Sequence, residues 1–305
     1  MNSSAGFYDL NGLLTITPDN KNKIVLFGYF SNDNFGLSNN GNSFDITKYQ
    51  YANTLTSIRW NHNFAHHLSS SLMTGISRYK FQMNELDTTR RSEGYQLSSG
   101  ILYNNAKWDL AWHPDNNYAF DFGANAVFYT VEPGSLAPNK AQSQVTPVHE
   151  NSTNASEYSI YLSTDMNINK DLSAEIGLRY TLYNLNGPGN VYIYKDGTPD
   201  LAANIIDSVN YNNNQLIKRY HGLEPRISFS YSINSSSSVK ISYNLIHQYI
   251  QLVSNSAVMS PVDYWKLSDQ YLKPLQCNQY AAGYFRNFQN NKIPRKLQTA
   301  RKHGI

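Results

Sequence analysis

Between Arg226 and Leu252 the chain alternates with a strict period of two. Ile227, Phe229, Tyr231 and Ile233 share one side of the register, with Arg226, Ser228, Ser230 and Ser232 on the other. Past a polar tip at Asn234–Ser238, Val239, Ile241, Tyr243 and Leu245 alternate with Lys240, Ser242 and Asn244. Successive strand side chains point to opposite faces, so each run carries one apolar and one polar face. Two such runs about a short polar turn form an antiparallel hairpin.

The rest of the chain repeats this design. Tyr8–Thr17 and Lys23–Ser31 flank Pro18–Asn22, and Thr47–Asn61 and Leu68–Phe81 flank Asn63–His67. Tyr95–Trp112 and Tyr118–Val131 flank His113–Asn117, and Tyr158–Met166 and Leu172–Asn184 flank Asn167–Asp171. Leu216–Ser232 and Val239–Leu252 make the fifth pair, and Gln279–Phe288 begins a sixth. Between the pairs run long polar connections: Asn32–Ile46, Asn84–Gly94, Glu132–Glu157, Leu185–Gln215 and Val253–Asn278. Tight turns alternating with long loops are the pattern of a barrel in an outer membrane, short on the periplasmic side and long outside.

Composition agrees with strands that have one apolar and one hydroxylated face. Charged residues are only 15% of the chain, while Tyr reaches 24 residues beside 13 Phe and 4 Trp. A disordered chain would lack the aromatics, and a helical one would be richer in Ala, Glu and Lys. The net charge of +3, much of it after residue 291, gives no reason to expect a nucleic-acid partner. The single Cys277 excludes an internal disulfide framework or a Cys-rich zinc site. No apolar run approaches the roughly 18 residues of a spanning helix. The start, MNSSAGFYDL, does not read as a signal peptide.

Charges keep to one face. Leu172, Ala174, Ile176, Leu178, Tyr180 and Leu182 form a charge-free stripe backed by Glu175 and Arg179. Phe120, Phe122, Ala124, Ala126 and Phe128 form another, backed by Asp121, Gly123 and Asn125. A Lys or Arg at mid-depth on a lipid face costs about 2–4 kcal/mol, which explains the segregation. Two stretches fit less well. The alternation slips between Tyr103 and Trp108, which calls for a bulge near Asn104–Asn105. Arg78 follows Leu72, Thr74 and Ile76 on one face, as in a strand that leaves the bilayer early.

Catalytic and metal motifs are absent. His62, His66 and His67 fall across a turn with no Cys or Glu to complete a shell, and read as turn residues. No Gly-rich phosphate loop, nucleophile elbow or metalloprotease motif occurs, so an enzyme is not expected. Tyr and Trp near strand ends read as aromatic girdles. Sugar-stacking platforms and a sandwich core are the alternatives.

The segment QYIQLVSNSAVMSPVDYWKLSDQYLKP, followed by QYAAGYFRNF, resembles the later barrel of TonB-dependent outer-membrane receptors of Gram-negative bacteria. GLEPRISFSYSI, SSVKISYN, LTSIRWNH (Leu55–His62), the strand around Phe122–Ala124 and EIGLRYTLYN (Glu175–Asn184) resemble the family too, so that the similarity covers Tyr8–Asn291. It implies an all-β, antiparallel up-and-down transmembrane β-barrel, of which this chain holds a part. About ten or eleven strands are expected here, out of about 22 enclosing a plugged lumen. It also implies import of a nutrient with energy from the TonB system acting on the plug, no cofactor, and an outer-membrane location in contact with lipid. The family's signal peptide and plug have no counterpart in this sequence. Residues 1–291 are therefore expected to be a partial barrel domain, inactive in transport alone. The tail 292–305, with Lys292, Arg295, Lys296, Arg301 and Lys302, has no counterpart in the family and reads as a truncated or frame-shifted end.

The competing function is a surface carbohydrate-binding β-sandwich. An outer-membrane lipase or protease is a third class, requiring a nucleophile–base pair on adjacent strands. For ligand contact the candidates are Asp263, Tyr264 and Trp265, an aromatic pair beside a carboxylate in the loop Val253–Asn278. The plainer reading has Trp265 anchoring that loop at the headgroup level or over the barrel rim.

Overall fold

The computed structural model describes residues 2–38, 45–87, 94–195, 197, 199, 202–254 and 263–287, and in it the paired runs form one antiparallel meander. Its strands are β1 (Asn2–Ile16), β2 (Asn22–Ser38), β3 (Asp45–Ala65), β4 (Leu68–Asp87), β5 (Tyr95–Trp112), β6 (Tyr118–Pro138), β7 (Val148–His149), β8 (Thr153–Asn167), β9 (Leu172–Asn186), β12 (Leu216–Asn234), β13 (Ser237–Gln248) and β16 (Leu275–Arg286). They follow one another in chain order from β1 to β16, with β7 beside β6 and off the main path. Two small hairpins stand outside this sheet. One pairs β10 (Gly189–Tyr194) with β11 (Ile205–Tyr211), the other β14 (Ile250–Val253) with β15 (Tyr264–Leu267). The basic tail 292–305 lies outside the described residues.

The short turns collect at one end of the sheet, as the alternation of connection lengths requires. Backbone hydrogen bonds tie each to a neighbour: Asn63 N to Lys21 O at 2.9 Å, His113 N to His67 O at 2.8 Å, Asn167 N to Asn117 O at 2.8 Å, and Ser232 N to Asp171 O at 2.7 Å. The tips share a chemistry. Asp19 Oδ1 accepts from Lys21 N at 2.7 Å and Asn22 N at 2.8 Å, and Asp115 and Asn169 repeat the arrangement. Asp and Asn side chains fold the backbone this way wherever a tight turn is needed.

Several strands outrun their amphipathic stretches. β2 reaches Ser38 and β3 starts at Asp45, so most of Asn32–Ile46 is paired strand rather than loop. Once a ladder is registered it propagates through polar residues, because backbone groups leave water only when paired. In the opposite sense, Val239–Leu252 is not one strand. β13 stops at Gln248, and β14 turns away to pair with β15.

The apolar stripe is uncovered. Ile160, Leu162, Ile176, Leu178, Ile241 and Phe122 are all exposed, and directly paired residues such as Phe122, Leu162 and Leu178 share that face across three strands. A sandwich would bury this face under a second sheet. Up to Thr130 on β6, and throughout β8 and β9, it bears no Asp, Glu, Lys or Arg. Arg78 on β4 also faces outward and is exposed. A spanning strand needs about 9–11 residues, and counted from Leu68 that places Arg78 at the far edge of the band. Near the turns, Trp60, Phe64, Trp112, Tyr118 and Tyr231 form an exposed aromatic rim, with Trp112 stacked on Phe120 at 5.3 Å.

The slip in β5 has a different cause from the expected bulge. Pairing runs unbroken through Asn104–Asn105 to both neighbours, and the only irregularity in this strand falls between Ser98 and Gly100. Ile101 and Trp108 therefore lie on opposite faces, and each is where its surroundings need it. Trp108 points outward beside Leu72 and Ala124, while Ile101 points inward against the buried Val131. The apolar residues change sides along the strand.

Candidate functional site

That change of side marks the most enclosed part of the molecule. Away from the short turns, the inner face carries a core of Val131 from β6, Ala155 from β8, Tyr183 and Leu185 from β9, Tyr249 and Leu267. What covers it is the β14–β15 hairpin. Tyr249 carries the chain off β13, and β15 lies back against β6. Gly222 permits this turn inward, since a Cβ there would sit 2.7 Å from Tyr249 Oη and 3.0 Å from His247 Nδ1.

Tyrosines fasten the hairpin. Tyr183 is fully buried, stacks on Tyr249 at 4.7 Å with ring planes 6° apart, and donates its hydroxyl to Ser268 O at 3.0 Å. Tyr220 Oη donates to Asp269 O at 2.7 Å. Gln251 Nε2 donates to Lys273 O at 2.8 Å. Asp269 in turn accepts from Tyr271 N and Leu272 N, and Lys266 sits 3.0 Å from its carboxylate. Tyr271 Oη reaches Tyr192 O at 2.6 Å, linking the hairpin to the β10–β11 arm.

Beneath the hairpin lies a chain of charges. Arg179 Nη2 is 3.3 Å from Glu157, and its Nε is 3.8 Å from Glu224, which meets His247 Nδ1 at 3.4 Å. Tyr129 Oη donates to Glu157 Oε2 at 3.0 Å. One arginine between two buried carboxylates compensates the desolvation that either would suffer alone, so removing it would leave uncompensated charge. Closer to the turns Tyr161 donates to Asp109, and Lys107 lies 3.3 Å from the same carboxylate. This is a fixed, hydrogen-bonded lining.

The three sequence candidates fall at the start of β15, and they separate. Trp265 pairs with Leu252 and packs against the core. Tyr264 pairs with Val253 and is exposed. Asp263 immediately precedes it and is half-buried. The Ser260 and Pro261 of the same motif lie outside the described residues. Sequence reading passed over Tyr183, Tyr220 and Tyr249. The surplus of tyrosine and the parity slip in β5 were the available signals.

No family model and no curated protein matches this sequence. Solved structures match it in fold. The copper transporter OprC superposes with a TM-score of 0.65 at 10% identity, over 94% of this chain and 44% of its own. The ferripyoverdine receptor of the Pseudomonas aeruginosa outer membrane gives 0.62 at 13% identity, over 92% and 39%. BauA, the ferric preacinetobactin receptor of Acinetobacter baumannii, gives 0.56 at 12% identity, over 92% and 44%. The fold they share with this chain is that of an outer-membrane β-barrel. This chain spans less than half the length of each of these proteins, and as a barrel wall it explains its own faces. The uncovered charge-free band is the lipid side, and the hairpin and the charge chain are on the lumen side.

Proposed function

We propose that residues 1–291 form part of the barrel of an outer-membrane receptor that imports a scarce nutrient with TonB-derived energy. The observation that carries this reading is the meander itself, with every short turn at one end and a charge-free outward band above them. The cargoes of the similar proteins, ferripyoverdine, ferric preacinetobactin and copper, belong to the same class of use. On this reading Asp263 and Tyr264 meet the ligand at the outer opening, while Trp265 holds the hairpin that presents them. Tyr264 offers an exposed ring and hydroxyl beside a carboxylate, enough to stack on and hydrogen-bond a polar ligand.

Orientation is the first test. In a Cys277→Ser background, cysteines are placed singly at Ser235, in a short turn, and at Ile206, on the β10–β11 arm. A membrane-impermeant maleimide applied to intact cells is expected to label the Ile206 site and to reach the Ser235 site only after lysis. Equal labelling of both in intact cells rejects a membrane-spanning wall. Cargo is then sought by titrating ferric siderophores, ferric citrate and copper against the wild type and Tyr264→Ala. Unchanged affinity for a bound cargo removes Tyr264 from the site.

A further inference from the structure

On the lipid side of the wall, three small residues interrupt the band of large ones. Ala106 on β5 pairs with Ala126 on β6, and Ala124 adjoins them. Trp108 and Leu72 rise on one flank, Ile160 and Leu182 on the other, leaving an open apolar groove of about 510 Å³. Its position up the strands puts it in the half of the band farther from the short turns. There it ends in a polar cluster. Tyr180, which lines the groove, bonds His221 Nδ1 at 2.5 Å, and His221 pairs directly with the groove residue Leu182. Arg219 lies on the same face one step beyond, exposed, with its Nε on Asn184 Oδ1 at 2.8 Å. The outward positions of β8 and β9 supply no carboxylate to oppose the Arg219 guanidinium.

We propose that this groove is a binding site for one phosphate-bearing lipid, its acyl chain over Ala106, Ala124 and Ala126 and its phosphate at Arg219 and His221. The inference rests on the membrane-wall reading. Within that reading the occupant follows from charge and place. A protein side chain entering from the bilayer would leave Arg219 without an anion, whereas a lipid phosphate meets it at the depth where headgroups lie. The guanidinium fork matches phosphate oxygens in geometry as well as charge.

The test uses the intact protein, purified and reconstituted into phosphatidylcholine vesicles that contain spin-labelled phosphatidylglycerol or spin-labelled phosphatidylcholine. Insertion is checked first by protease protection. Wild type is expected to immobilise the phosphatidylglycerol probe with about fivefold preference over phosphatidylcholine, the scale of one cation near a membrane surface. Arg219→Gln, an exposed change, is expected to abolish the preference and keep the immobilised component. Ala124→Leu with Ala126→Leu is expected to remove that component for both probes. A protein that inserts but treats both lipids alike, or whose preference survives Arg219→Gln, overturns the lipid site alone. A protein that fails to insert overturns the membrane wall and the site together.

Discussion

The two ends of the wall use the same residue types with opposite sense. Near the short turns, apolar side chains of β6, β8 and β9 point outward and stay exposed, while Asp109, Lys107 and Glu175 point inward. Farther up the same strands Val131, Ala155, Tyr183 and Leu185 point inward and are buried, while Asn184 and Asn186, with Arg219 of the adjoining β12, take the outer side. One strand thus serves two solvents. Below, the apolar side is the uncovered one; above, a hairpin of the chain's own covers the apolar side, and polar side chains take the other. On the proposed reading as a membrane wall, the parity switch marks where the bilayer ends.

The largest effect that can break this comparison lies in the upper region. Tyr183→Ala should cost about 3–5 kcal/mol, as loss of a fully buried aromatic does, and should free the β14–β15 hairpin. Guanidinium unfolding in vesicles measures the first, and amide exchange of Ile250–Val253 the second. An unchanged exchange rate would mean that the hairpin does not depend on this core. Next comes the lower region. Leu178→Arg should cost about 2–4 kcal/mol, whereas Leu216→Arg, outward but above the band, should stay within about 0.5 kcal/mol. Equal costs at the two sites would erase the boundary.

Smaller effects sharpen it. Trp265→Ala should speed amide exchange across β14–β15, and Tyr264→Ala should leave it unchanged, separating anchor from exposed ring. Smallest is a pH effect at a turn. The side-chain amide of Asn22 and the Lys21 N–H hold the Asp19 carboxyl below its usual range. A depressed folded pKa contributes stability above the unfolded value, near 3.9, and loses it as pH falls through the lower folded value. Asp19→Asn should flatten the acid dependence below about pH 4, read from urea midpoints across that range.

Legibility in the sequence follows the same boundary. In the lower region one face is uncovered and apolar and the other polar, so period two is unbroken, and the strand ends at the turns, such as Trp112, Tyr118 and Leu172, read correctly. Higher up, the apolar partner is a distant segment of the same chain. Nothing local shows that Tyr183 will meet Tyr249, and a change of parity at Ile101 resembles a bulge when only one strand is in view. The β10–β11 arm reads as loop from sequence because its pairing carries no clean alternation. Of the candidate site, the position of Trp265 was foreseeable from its motif. The carboxylates that Arg179 brings together, Glu157 and Glu224, come from two other strands, and no spacing along the chain joins them.

The edges of the sheet set an arithmetic for whatever completes it. β1 ends at the short-turn end with Ile16, and β16 also ends there, with Arg286 opposite Ser237. Among the described residues the path from one edge to the other holds an odd number of strands, and its two edges run in the same direction. Two copies placed edge to edge would meet through parallel seams, against the antiparallel pairing on which such barrels close. Antiparallel closure therefore takes an odd number of further strands. The first and last of these run away from the short turns, one beside β16 and one beside β1.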